Sequence, residues 1–197
     1  IGEHIAELFG FDEAQQLLNS LGKTSPKLVE DLVPKTLPLA VFVKVLQGLL
    51  SERVSLKNLR VIAEALAEAA PRSQDPVVLI GAARVALSRQ IVQEINGLEE
   101  ELQVLTLEPA LEQVLQTSVS TGNAALEPGL AERMHQSLAN QSQQQEIQGR
   151  VPVLLVPQSL RPVLARFTRQ TIPALRVLAY NEVPESRRIR IAGAVGA

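Results

Sequence analysis

Apolar residues recur at helical spacing through the first half of the chain and change to short alternating or continuous runs in the second. Ile5, Leu8 and Phe9 make a first stripe. Asp12 is placed to cap a second helix carrying Leu17, Leu18 and Leu21, with Gly22 closing it. Ser25-Pro26 reads as a cap followed by proline at the first helical position. That helix carries Leu28, Val29 and Leu32 and has to stop near Pro34. Pro38 opens the next, with Val45, Leu46, Leu49 and Leu50 in phase. Ser55 is expected to cap a further helix whose Leu56, Leu59, Ile62, Ala63 and Leu66 share one face. Asp75-Pro76 then starts a long helix predicted to end near Gly97.

Past Leu98 the pattern changes. Glu99, Glu100 and Glu101 read as a solvated linker, which puts the expected boundary between a helical part, residues 1–98, and a second part, residues 99–197. Strands are expected over Leu102–Leu107, Val151–Val156, Val177–Tyr180, and from Ile189 and Ile191 on to Val195. Val151–Val156 is almost wholly apolar, as a strand covered on both faces would be. Pro109 opens a helix with Leu111, Val114 and Leu115 inward. After a loop over 118–127, Leu130, Met134 and Leu138 share the face of another. Ser159 is expected to cap a third, with Leu160, Val163, Leu164 and Phe167 buried. Strands separated by helices are expected to be parallel. Only the turn Asn181–Ser186 separates the last two, so these are expected to be antiparallel. The predicted fold is α+β: an all-helical subdomain, then a small α/β subdomain with a mixed, mostly parallel four-stranded sheet.

With one Tyr, four Phe and no Trp, the cores are built from aliphatic side chains. The absence of Cys excludes disulfides, thiolate-bound zinc and thiol nucleophiles. No apolar run reaches the roughly 20 residues that span a bilayer, so the segment is expected to be soluble. It opens without Met and directly into a helical pattern, and is read as a piece of something longer.

A net charge of −2 argues against nucleic acid. The distribution is more telling. Residues 98–149 hold eight acidic residues and one Arg, whereas residues 150–197 hold eight Arg and two Glu. Arg188 and Arg190 alternate with Ile189 and Ile191, so both arginines belong on one face of a strand. Arg161, Arg166 and Arg169 fall on the helix between two strands. These five arginines form the candidate interaction surface, able to meet an acidic patch on a neighbouring copy or a client protein, or simply to be solvated.

Enzyme constellations are missing. Gly22-Lys23-Thr24 imitates the end of a phosphate-binding loop, but Leu17 stands where its first glycine is required. Ser20 and Lys23 match S-x-x-K without its companion motifs. His4 and His135 are far apart and have no ligand partners at metal-binding spacing, so both are expected on exposed helix faces. Glu30 and Asp31 are adjacent and point apart on a helix. No catalytic, metal or cofactor site is expected, and no cofactor. Ser55-Leu56-Lys57-Asn58-Leu59-Arg60, after a helix and a turn, imitates a DNA-recognition helix, although Glu52, Glu64 and Glu68 oppose that reading.

SPKLVEDLVP at Ser25–Pro34 resembles a signature of the FlhA and injectisome export-gate family of type III secretion. Six further stretches continue the resemblance in order: Lys44–Ala70, Asp75-Pro76 with Arg84–Ile91, Leu105–Gln113, Leu126–Met134, Val151–Phe167 and Leu175–Gly196. Tyr180–Glu182 and the ending RIRIAGAVG lean to the flagellar members, with the injectisome paralogue as the alternative. The resemblance implies a non-enzymatic cytoplasmic platform at the inner face of the bacterial inner membrane, touching the membrane only through a preceding N-terminal part. It implies a helical subdomain and a ring-proximal α/β subdomain. The implied partners are other export-apparatus proteins, chaperone–substrate complexes, and neighbouring copies in a nonameric ring, with no nucleic acid. The family's known docking surface lies mainly in preceding subdomains, so no docking residue is carried over.

Overall fold

The computed structural model describes residues 2–122 and 126–196, and the chain divides into two compact units, Ile1–Ile91 and Val92–Ala197. The division falls inside a helix, upstream of the charge run at Glu99–Glu101.

The first unit is helical. It contains α1 (Gly2–Leu8), α2 (Phe11–Gly22), α3 (Pro26–Glu30), α4 (Leu39–Ser51), α5 (Leu59–Ala69), α6 (Pro76–Ala86) and the start of α7 (Ser88–Asn96). The proline-marked starts hold: Ser25 and Pro38 occupy cap positions, and the Asp75 carboxylate accepts from the Val77 N–H at 3.0 Å. Val33 is extended, as residues before proline tend to be, and this breaks the helical path at Pro34.

Three expectations need correction. Gly10, not Asp12, occupies the cap of α2, because the Glu13 carboxylate accepts from the Gly10 N–H at 3.0 Å and starts the helix earlier. Ser55 accepts from Lys57 N in a turn, and α5 begins only at Leu59, so Leu56 is not on the helix. The long helix predicted after Pro76 is two helices, with buried Leu87 at the bend between α6 and α7.

Leu32, Phe42, Val45, Leu46, Leu49, Ile62, Leu66 and Leu79 fill the core of this unit. At Gly48 a Cβ would stand 2.3 Å from Ile80 Cδ1, so the missing side chain lets α4 and α6 approach closely. Among the described residues no single helix is long and apolar enough to cross a membrane. Pro26–Thr36 with Leu39–Ser51 reaches that composition only as a pair bent by 109°.

The second unit carries the sheet. Its strands are β1 (Glu101–Leu107), β2 (Val153–Val156), β3 (Arg176–Ala179) and β4 (Arg188–Val195), in the spatial order β3-β2-β1-β4. Helices α8 (Pro109–Ser120) and α9 (Pro128–Ile147) connect β1 to β2, and α10 (Arg161–Thr168) connects β2 to β3. Residues 123–125, inside the expected loop, lie outside the described residues, while 118–120 belong to α8. Every strand pair is parallel. The α+β class is thus observed with an all-parallel sheet.

The expected final hairpin does not form: β4 pairs with β1 at the opposite side of the sheet from β3. The reason lies in how the chain leaves β3. Tyr180–Glu182 makes a tight helical turn, and the Glu182 side chain folds back to accept from Ala179 N at 2.7 Å. Arg161, the first residue of α10, stands 3.7 Å from that carboxylate, and both side chains are buried. The exit from β3 is therefore directed by a buried charge pair rather than by a hairpin turn.

Leu105, Leu107, Leu154, Val156, Val177 and Val195 line one face of the sheet under α8, α9 and α10, with Leu111, Leu115, Met134, Leu138, Leu160 and Leu164 against them. Leu102, Val104, Val153, Leu155 and Leu178 are buried on the other face. Between Val104 and Leu105 the pairing with β4 slips by one residue, leaving Ala192 as the extra residue of a bulge.

Glu182→Ala removes the carboxylate beside the buried Arg161 charge and is expected to cost about 3–5 kcal/mol. Glu182→Gln, which keeps an acceptor for Ala179 N, is expected to cost less. Urea unfolding followed by circular dichroism, with amide exchange at Ala179 as the local readout, measures both. A loss below about 1 kcal/mol in the alanine variant would mean that the pair does not hold this turn.

Candidate interaction surface

The Arg residues singled out from sequence part company in the structure. Arg161 is buried against Glu182 and has no place on a docking face. Its position at the start of a helix between two strands reads as surface in sequence, but the turn after β3 closes over it. Arg166 is exposed. Arg169 is half-buried, with its Nε out of solvent and without a hydrogen-bond partner. Arg188 and Arg190 are exposed on one face of β4, as the alternation predicts.

Three residues that sequence reasoning missed set this edge in place. Arg187 forks onto the C-terminal end of α7. It donates to Asn96 Oδ1 and to Gly97 O, each at 2.6 Å, and also to Glu99 O. A cation there satisfies the carbonyls just past the helix end and lies at the negative end of the helix dipole. Gly97 takes a left-handed φ of 66°, which a glycine adopts without strain. At the other end of β4, Gln141 of α9 donates to Ala194 O, and Ser137 accepts from Gly196 N. Nothing in the periodicity distinguishes Arg187 from its neighbours, and Gln141 sits in a helix rich in glutamine.

Arg188 lies 3.6 Å from the Glu100 carboxylate and Arg190 3.6 Å from that of Glu101. The acidic run is therefore partly neutralised by the basic strand of the same unit. Glu101 belongs to β1 rather than to a linker. Next to the arginines, Ile189 and Ile191 remain 46% and 64% exposed on the opposite face of β4, an apolar pair at the margin of the sheet.

The carboxyl ends of the strands gather polar groups. Asn181 Nδ2 donates to Gln158 Oε1 at 2.9 Å, Ser159 Oγ to Gln116 Oε1 at 2.9 Å, and Tyr180 OH to Glu112 Oε1 at 3.4 Å. Ser159 thus bonds to α8 instead of capping α10, whose cap position is Leu160. Val114, expected inward, is largely exposed. Desolvation, then the Glu112 charge and its hydrogen bond, raise the Tyr180 phenol above its ordinary 10.0, although about half of the residue is exposed.

The remaining sequence candidates stay apart. Lys23 and Thr24 make the turn that follows α2, and Thr24 Oγ1 donates to Leu21 O. Ser20 is exposed on that helix. Asp31 pairs with Lys35 at 3.6 Å on the surface. His135 is half-buried, not exposed, its ring edge-on to Phe167 at 6.4 Å. The side chain of His4 lies outside the described residues. Among the described residues no cluster of His, Cys, Asp or Glu could hold a metal. The DNA-recognition reading fails on geometry: Lys57 and Asn58 precede α5, Asn58 is held by Gln90 Oε1 at 2.5 Å, and Arg60 pairs with Glu64.

The chain is similar to several known proteins. The FHIPEP family model matches residues 1–188. Flagellar biosynthesis protein FlhA of Proteus mirabilis is 44% identical over 196 residues, which cover 100% of this chain and 28% of that protein. The chain therefore spans little more than a quarter of that relative's length. The Shigella flexneri MxiA protein superposes with a TM-score of 0.87 at 26% identity, covering 98% of this chain and 62% of that one. The nonameric EscV cytosolic domain from the type III secretion system superposes with a TM-score of 0.81 at 25% identity, covering 96% of this chain and 57% of that one.

Two measurements check the geometry. Because Tyr180 is the sole tyrosine and tryptophan is absent, phenolate absorbance titrates one group. A phenolate beside the Glu112 carboxylate is disfavoured, so Glu112→Gln is expected to bring the midpoint down towards 10.0, and an unchanged midpoint would remove Glu112 as a cause. The same raised value means that folding stability falls as pH climbs above 10.0. Separately, the paired variant Arg188→Gln with Arg190→Gln is expected to lose less than about 1 kcal/mol in urea unfolding, since both ion pairs are solvated.

Proposed function

The chain belongs to the FHIPEP family, and we propose that it is the C-terminal cytoplasmic region of a flagellar export-gate protein, working without bond-breaking chemistry as a platform for protein secretion. The observation that carries this reading is 44% identity along the whole chain to a flagellar biosynthesis protein, against 25% to the EscV cytosolic domain from the type III secretion system. That difference favours the flagellar member over the injectisome paralogue.

The helical unit and the α/β unit are two subdomains of a ring subunit at the inner face of the bacterial inner membrane. Likeness to a nonameric cytosolic domain supports assembly of neighbouring copies into a ring. Chaperone–substrate complexes and other export-apparatus proteins are its partners. A ring holds several weak sites close together, so a client released from one is recaptured by another, and avidity builds without any single tight contact.

The exposed arginines of β4 and α10 are the part of this surface offered to partners, Arg161 excepted. Their charge is moderated by Glu100 and Glu101, which suits contacts that must form and release.

Deleting this segment from the chromosomal gene, with the truncated protein still stable on a blot, is expected to abolish flagellin and hook protein in culture supernatants while leaving injectisome effectors unaffected. Loss of effectors alone would assign the chain to the injectisome paralogue. Loss of neither would overturn the export function.

A further inference from the structure

Strand β4 closes the sheet on one side, and its edge is unevenly protected. Arg188 N–H donates to Glu100 O, and the parallel register pairs Arg188 with Glu101 and Arg190 with Gln103. In a parallel ladder alternate residues turn both backbone groups to the same neighbour. Arg188 and Arg190 therefore face β1, and Ile189 and Ile191 turn their N–H and C=O groups outward. Beyond the bulge the edge is closed by α9: Gln141 donates to Ala194 O at 3.5 Å and Ser137 accepts from Gly196 N at 3.3 Å. The Gln141 side chain occupies the space that a Cβ on Gly193 would need. The open part is thus confined to residues 188–192.

We propose that this open half of β4 accepts an added strand from a partner: an extended segment in which acidic and apolar side chains alternate. The register of the exposed rows selects that chemistry. On one face the order across the sheet is Glu101 of β1, then Arg188 and Arg190 of β4, so an adjoining strand meets arginine first and is matched by carboxylates. On the other face Ile189 and Ile191 continue the row of buried Leu102 and Val104, and an apolar residue of the incoming strand would cover them. The outward backbone groups of Ile189 and Ile191 supply hydrogen bonds to any sequence, as in other cases of strand addition. A second copy of β4 fits poorly, because it sets arginine beside arginine. The existing ion pairs with Glu100 and Glu101 lie on the inner side and need not be broken.

This inference rests on the docking reading in that it names the chemistry of a docked segment. Its test is independent of secretion. The full chain, labelled with nitrogen-15, is titrated with the blocked hexapeptide Glu-Val-Glu-Val-Glu-Val and with its Lys-Val counterpart. The expected result is shifted, more slowly exchanging amides at Ile189 and Ile191, with the glutamate peptide bound at least about fivefold more tightly than the lysine peptide. Arg188→Gln with Arg190→Gln is expected to erase that preference. Ile191→Pro removes an outward N–H that makes no ladder bond, a change edge strands accommodate, and is expected to abolish the response at Ile189. The amide spectrum of the rest of the unit reports whether each variant is folded; should the proline variant unfold, the glutamine pair carries the test. Equal binding of both peptides, responses elsewhere on the chain, or concentration-dependent protection of Ile189 and Ile191 without peptide would overturn the proposal. The secretion experiment stands whichever way this one falls.

Discussion

The backbone bond from Arg188 N–H to Glu100 O starts the pairing of β4 with β1, and the arrangement of the α/β unit depends on it. Once β4 is parallel to β1, the chain leaving β3 must pass the ends of two other strands before it can continue. That path is held at its beginning by buried Glu182 and Arg161 and at its end by Arg187 on the last turn of α7. A hydrophobic strand would have settled anywhere with enough apolar cover. Two arginines and a glutamate define where this one enters and leaves.

Much of the local structure was legible because proline and alternation speak for themselves. Pro26, Pro38, Pro76 and Pro109 stand at or beside the starts of helices. The apolar run at Val153–Val156 became a strand buried on both faces. What the sequence left unread was long-range. The break at buried Leu87 has no glycine or proline beside it to announce it. The hairpin expected between β3 and β4 followed from the shortness of the connection, but connection length says nothing of a carboxylate that folds back onto the strand end. Arg161 was counted with the surface charges because helix periodicity cannot reveal that a later turn buries the helix start. The alternation of Arg188 and Arg190 was correctly read, since period two needs only the strand itself.

The charge asymmetry carries a similar lesson. Counted along the chain, residues 98–149 and 150–197 look like opposed surfaces seeking partners. Folded, Glu100 and Glu101 meet Arg188 and Arg190 across a single strand pair. Because β4 lies beside β1, the start of the acidic segment meets the last strand of the basic one, and segments of opposite sign become neighbours through topology alone. The field offered to a partner is then local and short-ranged, set by what lies beyond the last paired strand and not by the segment totals.

The bulge at Ala192 reverses the parity of β4. Ahead of it, Ile189 and Ile191 share a face with Leu102 and Val104; behind it, Val195 falls on the face of Leu107, inside the helix-covered core. One strand thereby serves as margin at its beginning and as core at its end. Without Ala192, Ile191 and Gly193 would be successive residues on opposite faces, as an unbroken ladder requires, and Val195 would keep its place opposite Leu107. The bulge is thus the one place along the β1–β4 ladder where the strand's length can change by a residue and leave every pairing on either side as it is.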